Sequence, residues 1–122
     1  PVLAQPDDVY TNHIHADDLA AICARALEDG APAGVYNAAD DTRLKLGEWF
    51  DLVADRAGLP RPRRIARAEA AGRISPELLS FMDESRRLDN SRLKHTLGVR
   101  LRYPTVREGL MHGHPAGIDQ PA

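Results

Sequence analysis

The chain has 122 residues, of which 43% are hydrophobic and 28% charged, and its formal net charge is −2. This is one domain's worth of an ordinary globular composition, and the near-balance of charge gives no reason to expect nucleic acid or an anionic membrane as partner. No apolar run approaches the roughly 20 residues of a membrane span, no signal peptide is visible, and the lone Cys23 cannot form an internal disulfide, which fits a cytoplasmic protein. The first residues, Pro1-Val2-Leu3, include no initiator methionine, and the chain reads as a piece of a longer protein.

Residues 1–8 read as loop, with Pro6-Asp7-Asp8 a turn signal. A strand is expected from about Val9 to Ile14, with His13 and His15 on one face by alternation. The stretch Thr11-Asn12-His13-Ile14-His15-Ala16-Asp17-Asp18-Leu19 then runs into a helix. Asp17 or Asp18 stands where an N-cap belongs, accepting backbone N–H bonds at the positive end of the dipole. The helix is expected to reach about Glu28, with Leu19, Ile22, Cys23, Ala26 and Leu27 as its inward stripe. Cys23 then reads as a small buried thiol. Gly30 and Pro32 end the helix.

Gly34-Val35-Tyr36-Asn37-Ala38-Ala39 reads as a short buried strand and Asp40-Asp41 as the turn leaving it. A second helix is expected over about Leu46 to Ala57, weakly marked at Lys45 and stopped by Gly58-Leu59-Pro60. Arg64-Ile65-Ala66 is the next strand, so strand, helix and strand make a parallel βαβ unit with a right-handed crossover. The basic run Arg61, Arg63, Arg64, Arg67 reads as a solvated rim, since no aromatics interleave it. Ser75-Pro76-Glu77 carries the signature of a helix start, with Leu78, Leu79 and Met82 inward. Residues 83–88 form an extended connector, and Asp89-Asn90 opens a fourth helix with Leu93 and Leu97 inward and Gly98 as stop. Thr105 and Glu108 have capping-box spacing for a last helix through about Met111. From His112 to residue 122 a disordered tail is expected.

For the chemistry of the joint, His13-x-His15-x-Asp17-Asp18 admits three readings: a structural joint, a metal site, or the joint of a known enzyme family. Histidines two apart on a strand converge on zinc in metallo-hydrolases, but a zinc site needs three or four convergent ligands, and only His95 follows before the tail. There is no Gly-rich phosphate loop, no G-x-S-x-G elbow and no Cys–His pair. The motifs do not assemble a complete active site.

The order I-H-A-D-D-L-A at 14–20, G-V-Y-N-A-A-D at 34–40 and G-L-P at 58–60 resembles the C-terminal part of extended short-chain dehydrogenases/reductases, the NAD(P)-dependent epimerase/dehydratase family. S-R-R-L-D-N-S-R-L-K-H-T-L-G at 85–98 and L-R-Y-P-T-V-R-E-G-L at 101–110 resemble that family's closing segment. The resemblance implies an α/β fold, a Rossmann-type fragment with a short parallel βαβ unit plus a helical cap. Residues 1–111 would be the substrate-binding portion, with 9–40 packing on a missing N-terminal Rossmann half.

The family's cofactor site uses a Gly-rich turn after the first strand, and its chemistry uses Tyr-x-x-x-Lys. Tyr10, Tyr36 and Tyr103 are instead followed four residues on by Ile14, Asp40 and Arg107. The resemblance therefore implies NAD or NADP in the full-length parent, none bound to this chain alone, and no catalytic, cofactor or metal residue here. It places Asn12, His13, Arg86 and Arg87 at the substrate cleft, and His15, Asp17 and Asp18 in structural roles at the joint, with the imidazole fixing the joint and a carboxylate capping the helix. Sugar-nucleotide enzymes often carry Arg-Asp-Tyr or Arg-Asp-Phe before I-H. Thr11-Asn12-His13 departs from that, which favours another reductase or epimerase-like branch. The expected partners are the missing half, a small-molecule substrate, and a second copy in a homo-oligomer or domain-swapped dimer. A stand-alone binding or regulatory module and a metal-dependent hydrolase are the alternatives.

Overall fold

A computed structural model describes residues 1–112 and shows a mixed α/β chain. In chain order its elements are β1 (Val2–Leu3), β2 (Tyr10–Thr11), α1 (Ala16–Ala26), β3 (Leu44–Lys45), α2 (Leu46–Ala57), β4 (Arg64–Ile65), α3 (Pro76–Phe81), α4 (Ser91–His95) and α5 (Val106–His112). Short 3-10 turns lie at Gln5–Asp7 and Arg67–Glu69. β1 pairs with β4 in parallel, Val2 opposite Arg64, and β2 pairs with β3 antiparallel, Tyr10 opposite Lys45. No helix among the described residues is long and apolar enough to cross a membrane.

The parallel pair is not the one expected. β4 is where the sequence puts it, but its partner is β1, inside the segment read as loop. Two-residue strands leave no alternation to read; what makes β1 is the burial of Val2 and Leu3, 3% and 0% exposed. Residues 34–39 join no ladder, so the expected strand there is absent among the described residues. Tyr36 and Ala38 lean on the core while Val35 is 79% exposed. The strand over Val9 to Ile14 shrinks to Tyr10–Thr11.

Two apolar clusters hold the chain. Leu3, Ile65, Ala70, Ile74 and Met82 form one beneath the parallel pair, with Leu46 and Leu79 packed against it. Ile22, Leu93, Leu97 and Leu101 form the other. α1 contributes only Ile22 to it: Leu19 is 42% exposed, Leu27 86%, and Cys23 is exposed, which corrects the buried thiol expected there. The amphipathic pattern was real, but among the described residues nothing covers most of its stripe. A thiol reagent should therefore modify Cys23 at native-state rates close to those of an unfolded control; protection by a factor of a hundred or so would mean that the face is covered in solution.

Local signals place the other helices well. Ser75 Oγ accepts the Leu78 N–H at 3.2 Å and Pro76 opens α3, although Leu78 itself stays 37% exposed. Gly58 closes α2 at φ 66°, where Leu59 N–H reaches the Ala54 carbonyl at 2.8 Å. Glu48 accepts the Lys45 N–H at 2.8 Å, so α2 gets its N-terminal support from a carboxylate three residues in. Glu108 does the same for Thr105 at 2.7 Å, and α5 runs on to include His112, the first residue of the expected tail. The rest of that tail, 113–122, lies outside the described residues. The basic run is a rim of ion pairs: Arg61 binds Asp55, Arg64 binds Asp51 and Arg67 binds Asp83.

Candidate functional site

The strand-to-helix joint assembles with its roles exchanged. His15 is the N-cap of α1, its Nδ1 accepting the Asp17 N–H at 3.0 Å, so neither Asp17 nor Asp18 caps the helix. The imidazole also stacks on Tyr103, centroids 3.9 Å apart. Gly109 lies against it so closely that a Cβ there would meet the His15 ring at 3.1 Å. Asp17 stays exposed in the first turn, facing the positive end of the helix dipole. Asp18 is 3% exposed and accepts the Arg102 and Tyr103 N–H groups at 2.8 and 2.9 Å. The histidine caps the helix, and the carboxylate holds the distant chain.

Next to this joint, β2 serves as a platform for the connector. Tyr10 N–H donates to Ser85 Oγ at 3.0 Å, and Arg86 N–H to the Tyr10 carbonyl at 3.4 Å. The Asn12 side chain then grips the connector from both sides, donating to the Arg86 carbonyl at 3.0 Å and accepting the Leu88 N–H at 2.9 Å. The segment 37–41 is tied to the start of α4: Asn37 donates to the Asp89 carbonyl, and Asn90 to the Ala39 carbonyl and to Asp41, each at 2.9 Å. Lys94 completes that corner at 2.6 Å from Asp41.

These crossings frame an open cavity of about 430 Å³ bordered by Tyr10, Thr11, Asn12, Asp40, Arg43, Arg87 and the first residues of α4. Lys94, and then Asn90, hold the Asp41 carboxyl below the usual carboxylate range by hydrogen bonding. Ser91 does the same for Asp89. Asp40 moves the other way, raised by burial, although it accepts the Thr42 N–H at 2.8 Å.

Of the four residues expected at a cleft, Asn12 and Arg87 border this cavity, and Asn12 does so as a staple whose two polar groups are both engaged. Arg87 lies over Tyr10, its guanidinium carbon 5.2 Å from the ring centroid. Arg86 points elsewhere, paired with Glu84, and does not line the cavity. His13 lines a second hollow of about 470 Å³ together with His15, Trp49, Val106 and Leu110. Its Nε2 is 2.7 Å from Thr11 Oγ1 and its ring is 4.6 Å from that of Trp49. Burial lowers the His13 pKa and the nearby Asp40 charge opposes that, so the ring is held toward its neutral form. The two histidines thus share a hollow but turn to different partners, and among the described residues no three His, Cys, Asp or Glu side chains gather as a metal site would require.

Sequence reasoning missed Tyr10, Thr11, Asp40 and Arg43 as cavity residues. Tyr10 and Thr11 meet Lys45 and Leu44 across more than thirty residues of chain, and no spacing rule predicts that pairing. The acidic pair Asp40-Asp41 was visible only as a turn.

No family model matches the chain. A curated protein from Streptomyces sp, named 3-diazoavenalumate denitrifying reductase, is 28% identical over 105 residues, which is 82% of this chain and 33% of that protein. A solved structure, described as that of a functionally unknown conserved protein from Silicibacter pomeroyi DSS, superposes with a TM-score of 0.76 at 31% identity, over 89% of this chain and 38% of that one. The chain therefore spans about a third of the curated relative it matches, and little more of the solved one.

Proposed function

We propose that the chain is the C-terminal, substrate-side portion of an NAD(P)-dependent oxidoreductase of the epimerase/dehydratase type, contributing the substrate cleft while a separate Rossmann half carries the dinucleotide. The observation that carries this reading is the cavity stapled together by Asn12. It lies within a chain that has no Gly-rich turn and no Tyr-x-x-x-Lys pair. The reductase name of the Streptomyces relative supports the reaction class. The bare stripe of α1 and the unladdered segment 34–39 support a second body packed on the chain.

On this reading the cofactor is held by the other half, where it would supply or accept hydride. This chain's part is to bind and orient. Arg87 faces an anionic group, and the Asn12-held connector keeps that wall in place.

The pure chain should show no NADH or NADPH consumption with hydroxylated ketones or nucleotide sugars, and no tight dinucleotide binding. Joining it to the Rossmann half encoded with it should produce both. Turnover by the pure chain would overturn the division of labour. Light scattering separates the second reading, a stand-alone binding module: concentration-dependent association, as a homo-oligomer or a swapped dimer, fits an uncovered face, whereas a dilution-independent monomer favours the module.

A further inference from the structure

Two arginines that line the cavity, Arg43 and Arg87, hold no ion pair among the described residues, although Asp41 and Asp89 on the same wall feel the Arg43 charge. The antiparallel register sets Tyr10 opposite Lys45 and Thr11 opposite Leu44. Arg43 directly precedes β3 and Asn12 directly follows β2, at the end of that short ladder. Asn12 holds the backbone of Arg86 and Leu88, and the residue between them, Arg87, comes over Tyr10. Both arginines line one cavity.

Among the described residues neither Arg43 nor Arg87 has an ion pair or a side-chain hydrogen bond, whereas Arg61, Arg64, Arg67, Arg86 and Lys94 each hold a carboxylate. The cavity's own acids are engaged elsewhere: Asp41 by Lys94 and Asn90, Asp89 by the Ser91 N–H, and Asp40 by the Thr42 N–H. Guanidinium forks match the paired oxygens of a carboxylate or phosphate. A volume of about 430 Å³ suits a small organic molecule.

Resting on the cleft reading above, we propose that Arg43 joins Arg87 in clamping the anionic group of a small-molecule ligand. Arg43 is then a specificity-determining residue that no motif marks. The ligand's anion is a phosphate ester or a carboxylate.

Calorimetric titration of the 122-residue chain at low ionic strength tests this, with glucose 6-phosphate, gluconate and uncharged glucose as probes. One of the two anions should bind with unit stoichiometry, and which one does identifies the anionic group; glucose should not bind. Arg43→Gln and Arg87→Gln should each weaken binding by about tenfold or more, the loss of a charge-assisted pair of hydrogen bonds. Arg43→Lys, which keeps the charge without the fork, should fall between, and the remote Arg73→Gln should bind as the parent does. Amide spectra of Arg43→Gln that overlay on the parent's show that the fold is intact. If Arg87→Gln loses binding while Arg43→Gln does not, the Arg43 assignment is wrong and the cleft reading stands. If the parent binds neither anion, or binds glucose equally well, the clamp itself is wrong, and the cleft reading is judged by the turnover experiment with the joined halves.

Discussion

Replacing Asp18 by alanine should destabilise the chain by about 3–5 kcal/mol, more than most single substitutions do. The carboxylate is buried and accepts two backbone N–H groups, from Arg102 and Tyr103, more than eighty residues away in sequence. Hydrogen bonds to a charged acceptor contribute about 1.5–3 kcal/mol each, and their removal leaves two buried donors without partners. Asp18→Asn keeps one acceptor oxygen and should cost roughly half as much. Urea unfolding with intact far-ultraviolet structure gives the number. A loss below about 1 kcal/mol for Asp18→Ala would show that the 101–103 loop is held by Leu101 and Tyr103 packing alone. The mechanism also predicts where the damage appears: hydrogen exchange should quicken at Arg102 and Tyr103 before it does in α2.

Asn12→Ala should act on both stability and the cavity. One side chain donates to the Arg86 carbonyl and accepts from the Leu88 N–H, so its loss frees the connector at two points and costs about 1–3 kcal/mol. The effect on ligand is larger than that figure implies. Arg87 lies between the two held residues, and its guanidinium keeps its place over Tyr10 only while the backbone on either side is fixed. Anion binding should therefore fall in Asn12→Ala as far as in Arg87→Gln, although every charged side chain remains. Asn12→Asp, which still accepts from Leu88 but cannot donate to Arg86, should retain part of the grip. Protection of the Leu88 amide is the direct readout; an amide as slow to exchange in Asn12→Ala as in the parent would mean that the Tyr10–Ser85 and Tyr10–Arg86 contacts suffice.

These two residues also divide the labour within one nine-residue stretch. Asp18 closes the body of the chain by reaching its far end, and Asn12 closes the cavity by reaching the connector. The cap that the sequence offers to Asp17 or Asp18 goes to His15 instead, and Asp18 turns to the returning chain. Asn12 was expected to face a substrate, and it borders the cavity chiefly as its fastener. Arg86 and Arg87, indistinguishable in sequence, are separated by alternation along the extended connector: one pairs with Glu84, the other looks over Tyr10.

What the sequence determined by itself was local. Ser75-Pro76, Gly58-Leu59, Thr105 with Glu108, and the Leu93/Leu97 spacing each encode an interaction completed within a few residues, and each forms where expected. Hydrophobic spacing likewise identified which side of α1 is apolar. It could not say whether anything covers that side, because a stripe records a preference and burial needs a second surface; Leu19, Cys23 and Leu27 stay exposed. Tertiary structure alone decided the pairing of β1 with β4, since a two-residue strand has no period and its parallel partner lies some sixty residues away. It also decided that His15 caps α1 while Asp18 does not, because a carboxylate one turn further in finds two backbone donors on the returning chain. The cavity belongs wholly to this second class. Its walls come from β2, the turn at 40–43 and the connector, three stretches with no local reason to meet, brought together by backbone and amide hydrogen bonds that no spacing in the sequence records.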